Sequence, residues 1–267
     1  MQRLATVADP RSIQGAGGGR AVVGHAASGA ISLLDGRPLR VRRVLRGFGQ
    51  PRYTAIAPGG RLAYVSDSGH GEIAVVDLVT RRVLRRVEVG AGARHLGLHP
   101  NGHMLWVALG SSAAQVAVLR LRPDPARPHV IAHLRAPFLV HDVAFSPSGR
   151  RVWLTAGREP RIAVFASGSR RPLRVLSADA APQHVSFGRG VAYVASGEAG
   201  AVAVHALSDG RRRRRTRVPA GSYNVEQARS WVITPSLGNG ALTVLDARGV
   251  RLAQVRVASA AHDACIV

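Results

Sequence analysis

An internal repeat of about forty residues constrains this chain more than any other feature, because such a period decides the fold before local structure is considered. The stretch RLAYVSDSG at position 61 returns as HMLWVALGS at 103, RRVWLTAG at 150, GVAYVASGE at 190 and RSWVITPSL at 229, with a weaker RAVVGHAAS at 20. The matched positions are Val22, Tyr64, Trp106, Trp153, Tyr193 and Trp231, spaced 38 to 47 residues apart. A second apolar run follows each of them: AISLLD, EIAVVD, QVAVLR, RIAVFA, AVAVHA and ALTVLD. Their first branched apolar residues are Ile31, Ile73, Val116, Ile162, Val202 and Leu242, spaced 40 to 46 apart. Two independent series with one period predict one structural unit repeated six times.

Each unit holds four short runs. In residues 52–90 they are YTAIA, RLAYVSD, EIAVVDL and RVLRRVEV, separated by Pro-Gly-Gly, Ser-Gly-His-Gly and Val-Thr-Arg-Arg. Runs this short, rich in β-branched residues and bounded by turn formers, are strands rather than helices. Four strands per unit, six times over, describe an all-β chain: a β-propeller of four-stranded antiparallel blades. The expectation is one domain over residues 1–267, with units at about 10–50, 51–92, 93–138, 139–182, 183–221 and 222–261. The first inner strand, SIQGAGGG, is poor and glycine-rich, while the final AHDACIV reads as a better one and RLATVAD at 3–9 resembles an outermost strand. Six blades, with residues 262–267 as a ring-closing strand, is the simplest arrangement, since an open sheet edge leaves backbone groups unpaired. Seven blades is the alternative.

The residues LAYVSDSGHGEIAVVDLVTRRVLRRVEVGAGARHLGLHPNG at 62–102 resemble the YVTN-type, or YncE-like, repeat family of propellers. The family unit runs aromatic-Val-x-Asn, a Val-Ile-Asp strand, a Val-rich strand and Gly-x-x-Pro; here Asp67 or small residues stand where Asn is common. The WD dipeptide and Gly-His signature of WD40 proteins are absent. The resemblance implies a binding or scaffolding role, and for some members DNA binding.

Charge bears on partners. The net charge is +22, and all 37 basic residues are arginine. The arginines crowd the turn before the fourth strand and that strand itself, as in RPLRVRRVLR at 37, RRVLRRVEV at 81, RRPLRV at 170 and RRRRRTRV at 211. Charges on an outer edge strand block edge-to-edge association. They also suit non-specific binding of a polyanion such as DNA, for which Arg85, Arg86, Arg211, Arg212, Arg213, Arg214 and Arg215 are the candidates. No recognition helix or zinc finger points to sequence-specific reading. With no apolar run long enough to span a bilayer and no basic-then-apolar leader, the chain reads as cytoplasmic, or exported if a leader has been removed. The single cysteine, Cys265, excludes an internal disulfide and a cysteine metal cluster.

One position in the repeat carries chemistry. At the start of successive first strands stand Tyr53, His95, His141, His184, Asn224 and His262, with Asp142 and Asp263 after two of the histidines and Glu226 near Asn224. In a propeller such residues gather at one mouth of the central channel, which makes these nine the candidate ligand-binding set. A polar residue copied around the ring by repeat duplication explains the pattern equally well. His95, His141 and His184 form a candidate set for a divalent metal such as zinc, whose bound water would serve a lyase or hydrolase. Channel histidines of this kind resemble those of six-bladed amidating and streptogramin lyases, and LHPNGHMLWVA at 98 resembles lactonase-type propellers, but no catalytic residue carries over. The remaining histidines (His25, His70, His99, His103, His129, His133 and His205) read as surface or turn residues. The expected function is therefore non-enzymatic binding of a protein or small molecule at the channel mouth, with metal-dependent catalysis and polyanion binding as alternatives.

Overall fold

The computed structural model describes residues 3–110, 113–178 and 180–267. Among these there is no helix, and so none long and apolar enough to cross a membrane. Twenty-four strands form six four-stranded antiparallel sheets, each built from four strands consecutive in the chain. The first blade holds Pro10–Gly17 (β1), Arg20–His25 (β2), Ala30–Asp35 (β3) and Arg40–Arg46 (β4). The second holds Pro51–Ile56 (β5), Leu62–Asp67 (β6), Glu72–Asp77 (β7) and Arg82–Glu88 (β8). The third holds Leu96–Leu98 (β9), Met104–Ala108 (β10), Gln115–Arg120 (β11) and His129–Arg135 (β12). The fourth holds Asp142–Phe145 (β13), Arg151–Thr155 (β14), Arg161–Ala166 (β15) and Pro172–Ser177 (β16). The fifth holds Val185–Gly188 (β17), Val191–Ser196 (β18), Ala201–Ala206 (β19) and Arg212–Arg217 (β20). The sixth holds Glu226–Ala228 (β21), Trp231–Pro235 (β22), Ala241–Asp246 (β23) and Arg251–Arg256 (β24).

The blades fall into two compact units. One comprises the chain up to Arg135 together with Cys265–Val267; the other is Ala136–Ala264. In the first unit the core lies between neighbouring blades. Val22, Ile31 and Leu33 pack on Val65 and Val76, while Tyr64, Ile73 and Val75 pack on Leu105, Val107 and Leu119. The second unit repeats the scheme. Trp153, Ile162 and Val164 meet Val185 and Val194, and Tyr193, Val202 and Val204 meet Val225, Val232 and Leu245. The middle strands are thus covered on both faces and read as unbroken apolar runs, whereas the fourth strands are largely exposed. Two tyrosines reinforce the packing through their hydroxyls, Tyr64 donating to the Pro125 carbonyl (2.9 Å) and Tyr193 to that of Ala247 (2.7 Å). Burial pushes the Tyr64 phenol up to about 12, so it remains a donor at any ordinary pH.

Every fourth strand carries one extra residue against the third, a β-bulge, at Arg42, Leu84, Ile131, Leu173, Arg213 and Leu252. A bulge bends the strand and re-aims the side chains around it.

Three details depart from the sequence reading. Trp231 is not the sixth member of the aromatic series: it pairs with Asp246 and is 54% exposed. Ile233 takes that place, opposite Val244 as Trp153 is opposite Val164. Residues 3–9 form no strand, and β1 is the glycine-rich run itself. Residues 262–267 also form no strand. The end of the chain instead lies against β1 so closely that a Cβ on Gly15 would fall 1.9 Å from the Ile266 carbonyl oxygen.

Candidate functional site

Strand register defines the position at which each first strand begins. Trp153 and Tyr193 face Val164 and Val204, so Thr155 in the fourth blade corresponds to Ala195 in the fifth. Thr155 pairs with Asp142, while Ala195 donates its N–H to the His184 carbonyl (2.9 Å). Asp142 rather than His141 is therefore the counterpart of His184, and His141 stands one residue earlier. A shift of one residue moves a side chain to the other face of a strand. By the same register the second unit places Asp142, His184 and Asn224 in one column, preceded by His141, Gln183 and Tyr223. The first unit places Ser12, Tyr53 and His95 in that column, preceded by Arg11, Arg52 and Arg94.

In the second unit Asp142 is buried and ties two blades together. Its Oδ1 accepts the Val143 N–H (2.7 Å) and its Oδ2 accepts the Val185 N–H of the next blade (3.0 Å). His184 Nδ1 lies 3.5 Å from the same Oδ2. Burial pushes Asp142 up to about 7, against the downward pull of those two N–H groups. Behind it, the Thr155 hydroxyl donates to the Gln183 carbonyl, and Gln183 accepts the Gly197 N–H (2.7 Å) and donates to the Gly157 carbonyl (3.1 Å). His141 meets His184 edge to face, with ring centroids 5.6 Å apart and an 87° angle. Gly157 makes room for His141, since a Cβ there would lie 2.6 Å from the histidine Cβ.

The sixth blade repeats the device. Asn224 accepts the Val225 N–H (2.8 Å) and donates to Asp263, which itself accepts the Ala264 N–H (2.8 Å). Each "HD" pair, at 141–142 and at 262–263, thus has the aspartate accepting the N–H of the residue that follows it. Glu226, on β21, is pushed up to about 7 by burial and then by the Asp263 charge.

In the first unit the Tyr53 and His95 rings stack with centroids 3.7 Å apart. Beside them lies a feature the sequence reading missed. Arg52 donates to Ser68 Oγ (3.1 Å) and Gln50 Oε1 (2.8 Å), and its pKa is lowered by burial and then by the charges of Arg94 and Arg11. The Arg94 Nε is buried with no hydrogen-bond partner among the described residues. Arg52 thus feels the charges of two further half-buried arginines, one from the blade on either side. The repeat series could have revealed them, one residue ahead of Tyr53 and His95, had register been fixed by strand partners rather than by residue type.

Other residues separate from this set. His25 and His205 are buried, not surface residues. Each ring is bonded inside the core, His25 Nε2 with Ser32 Oγ (2.8 Å) and His205 Nδ1 with the Gly210 carbonyl (3.0 Å), and burial lowers both pKa values. Asp67, His70 and Glu72 also approach one another. Asp67 is occupied by the N–H groups of Gly49 (2.8 Å) and Gln50 (2.7 Å), and Arg86 bonds Glu72, so this knot supports the blade. Arg86 further donates to the Gly47 carbonyl and lies over the Phe48 ring, 4.7 Å from its centroid. Arg85 and Arg211 to Arg215 are exposed, with Arg213 bonded to Asp209 (2.9 Å).

No protein-family model and no curated protein matches the sequence. Solved structures do. Kuenenia stuttgartiensis hydrazine synthase is 14% identical over 98% of this chain and 91% of that chain, with a TM-score of 0.80. The β-propeller domain of Myceliophteria thermophila Cps50 (Swd1) is 12% identical over 96% and 89%, with a TM-score of 0.76. A functionally unknown protein from Desulfotomaculum acetoxidans is 13% identical over 96% and 88%, with a TM-score of 0.81. The fold is a six-bladed β-propeller. At these identities the likeness speaks for fold alone, and one fold carries many functions.

Proposed function

We propose that this propeller is a non-enzymatic binding protein of the YVTN type, and that its ligand is an anion held where the first strands of the leading blades begin. The observation that carries this reading is the gathering of Arg11, Arg52 and Arg94 beside the stacked Tyr53 and His95. Clustered, half-buried cations are unfavourable by themselves, and an unpartnered buried donor such as Arg94 Nε costs about 1–3 kcal/mol. An anion repays both, since guanidinium groups bind carboxylate and phosphate through paired hydrogen bonds.

A second reading, a divalent metal serving a lyase or hydrolase, is favoured by His141 and His184, whose ring nitrogens lie within 4.8 Å of each other. Asp142 beside His184 would then orient a ligand histidine. The exposed arginines of β20 suit a further, salt-sensitive attraction to polyanions.

One experiment separates the first two. Untagged protein is titrated calorimetrically with citrate and, separately, with zinc. The anion reading expects citrate binding that weakens at least tenfold in Arg94→Gln. Absent citrate binding, or equal affinity in the variant, overturns it. Stoichiometric zinc lost in His184→Ala supports the metal reading instead.

A further inference from the structure

A second cationic site lies on the outer side of the leading blades, where β4 faces the turn before β8. A cleft of about 250 Å³ is lined by Arg42, Arg43, Thr80, Arg81 and Arg82. Two local distortions bring these side chains together. Arg42 is the bulged residue of β4, the extra one between the Leu33–Arg43 and Leu34–Val41 pairs, and the bulge lets two consecutive arginines line one cleft. Arg81 has a left-handed backbone, φ 56°. Counting three residues back from the bulges of the fifth and sixth blades, that position is Gly210 (φ 74°) and Gly249 (φ 79°). Glycine occupies such a conformation without steric cost, and an L-residue does not. At Arg81, as at Asp9 and Arg229, the chain accepts a left-handed conformation without glycine, and here it gains a guanidinium beside the cleft.

The surroundings fix the turn that carries Arg81 and leave the cleft rich in positive charge. Asp77 Oδ1 accepts the Val79 and Thr80 N–H groups (2.8 and 2.9 Å) and fixes the turn, while its Oδ2 is engaged by Arg61 (3.0 Å). Asp35 Oδ2 lies 3.6 Å from Arg81. It is the one carboxylate lining a small adjoining hollow of about 10 Å³, which Arg20, Arg42 and Arg81 also line. Four guanidinium groups therefore line the cleft, with a single carboxylate beside it.

We infer that this cleft is a binding site for a diphosphate group. Four guanidinium groups carry more positive charge than one phosphate neutralises and suit the two linked phosphates of a diphosphate. Strain stored at a residue aimed into a cleft is a mark of a functional position. The site is separate from Arg52 and Arg94, so either reading can fail without the other.

The test is calorimetric titration of the full chain with inorganic pyrophosphate, orthophosphate and ADP. Wild type binds pyrophosphate and Arg81→Gly binds it at least tenfold more weakly. That variant restores the glycine of the sister turns, so its melting temperature stays at or above the wild-type value and misfolding cannot explain the loss. Arg251→Gln, an outer-strand charge on another blade, leaves the affinity within twofold. Equal affinity in wild type and Arg81→Gly overturns the site, as does no binding at all. Orthophosphate binding as tight as pyrophosphate overturns the diphosphate assignment. ADP as tight as pyrophosphate supports a nucleotide as the source, and much weaker ADP supports a free diphosphate.

Discussion

Replacing Asp142 with Asn should change how the stability of the second unit depends on pH. The carboxyl is buried, and burial pushes its pKa up to about 7 in the folded chain, against an ordinary value of 3.8. A folded pKa above the unfolded one means that the native state holds the proton more tightly. The associated stability is present at low pH and is lost as pH rises through the folded pKa. A shift from 3.8 to about 7 is worth about 4 kcal/mol in total, of which about 2.5 kcal/mol is lost between pH 5 and 8. Asparagine removes the titration but keeps one acceptor oxygen, so one of the Val143 and Val185 N–H groups loses its partner. That costs about 1–3 kcal/mol at pH 5, where the wild-type carboxyl is protonated. The variant should therefore be the less stable at pH 5, and the difference should move in its favour by about 2.5 kcal/mol by pH 8. Urea unfolding of both proteins at pH 5, 6, 7 and 8 measures this directly. Glu226, raised likewise to about 7, leaves a residual slope in both proteins that cancels in the comparison. Parallel stability curves would refute the argument, because they would mean that Asp142 is ionised throughout and that its burial is offset by its partners.

Packing leads to two further expectations. Trp153→Ala should cost about 3–5 kcal/mol, whereas Trp231→Ala, at a 54% exposed position, should stay near 0.5 kcal/mol; urea midpoints compare them. Tyr193→Phe should lose about 1 kcal/mol, because it removes the bond to the Ala247 carbonyl while keeping the ring, and Tyr64→Phe makes the matching measurement in the other unit.

The blades were legible in the sequence because their information is local and redundant. Each unit repeats its apolar runs and its turn residues, and the covered middle strands read as β-branched runs whatever surrounds them. Errors came where a single residue decides. Trp231 stands near the aromatic position, yet its ladder partner is Asp246 and its ring faces solvent. His141 looks like the equivalent of His184, yet the pairing of Asp142 with Thr155 gives that place to the aspartate. Residue type is a weak guide to register, because neighbouring side chains on a strand point to opposite faces. The buried His25 and His205 were missed for a related reason, as their hydrogen-bond partners lie on other strands or turns.

The sequence by itself determined the repeat, the four-strand unit and the excess of arginine, since period and composition need no partner to be read. Tertiary structure decided which arginines matter. Arg11, Arg52 and Arg94 lie about forty residues apart in the chain, and Arg52 feels the other two charges only because consecutive first strands are neighbours. Arg42 and Arg81 line one cleft because a bulge and a left-handed turn re-aim them. Charge is a property of the residue, but an electrostatic site is a property of distance, and distance exists only once the blades have packed.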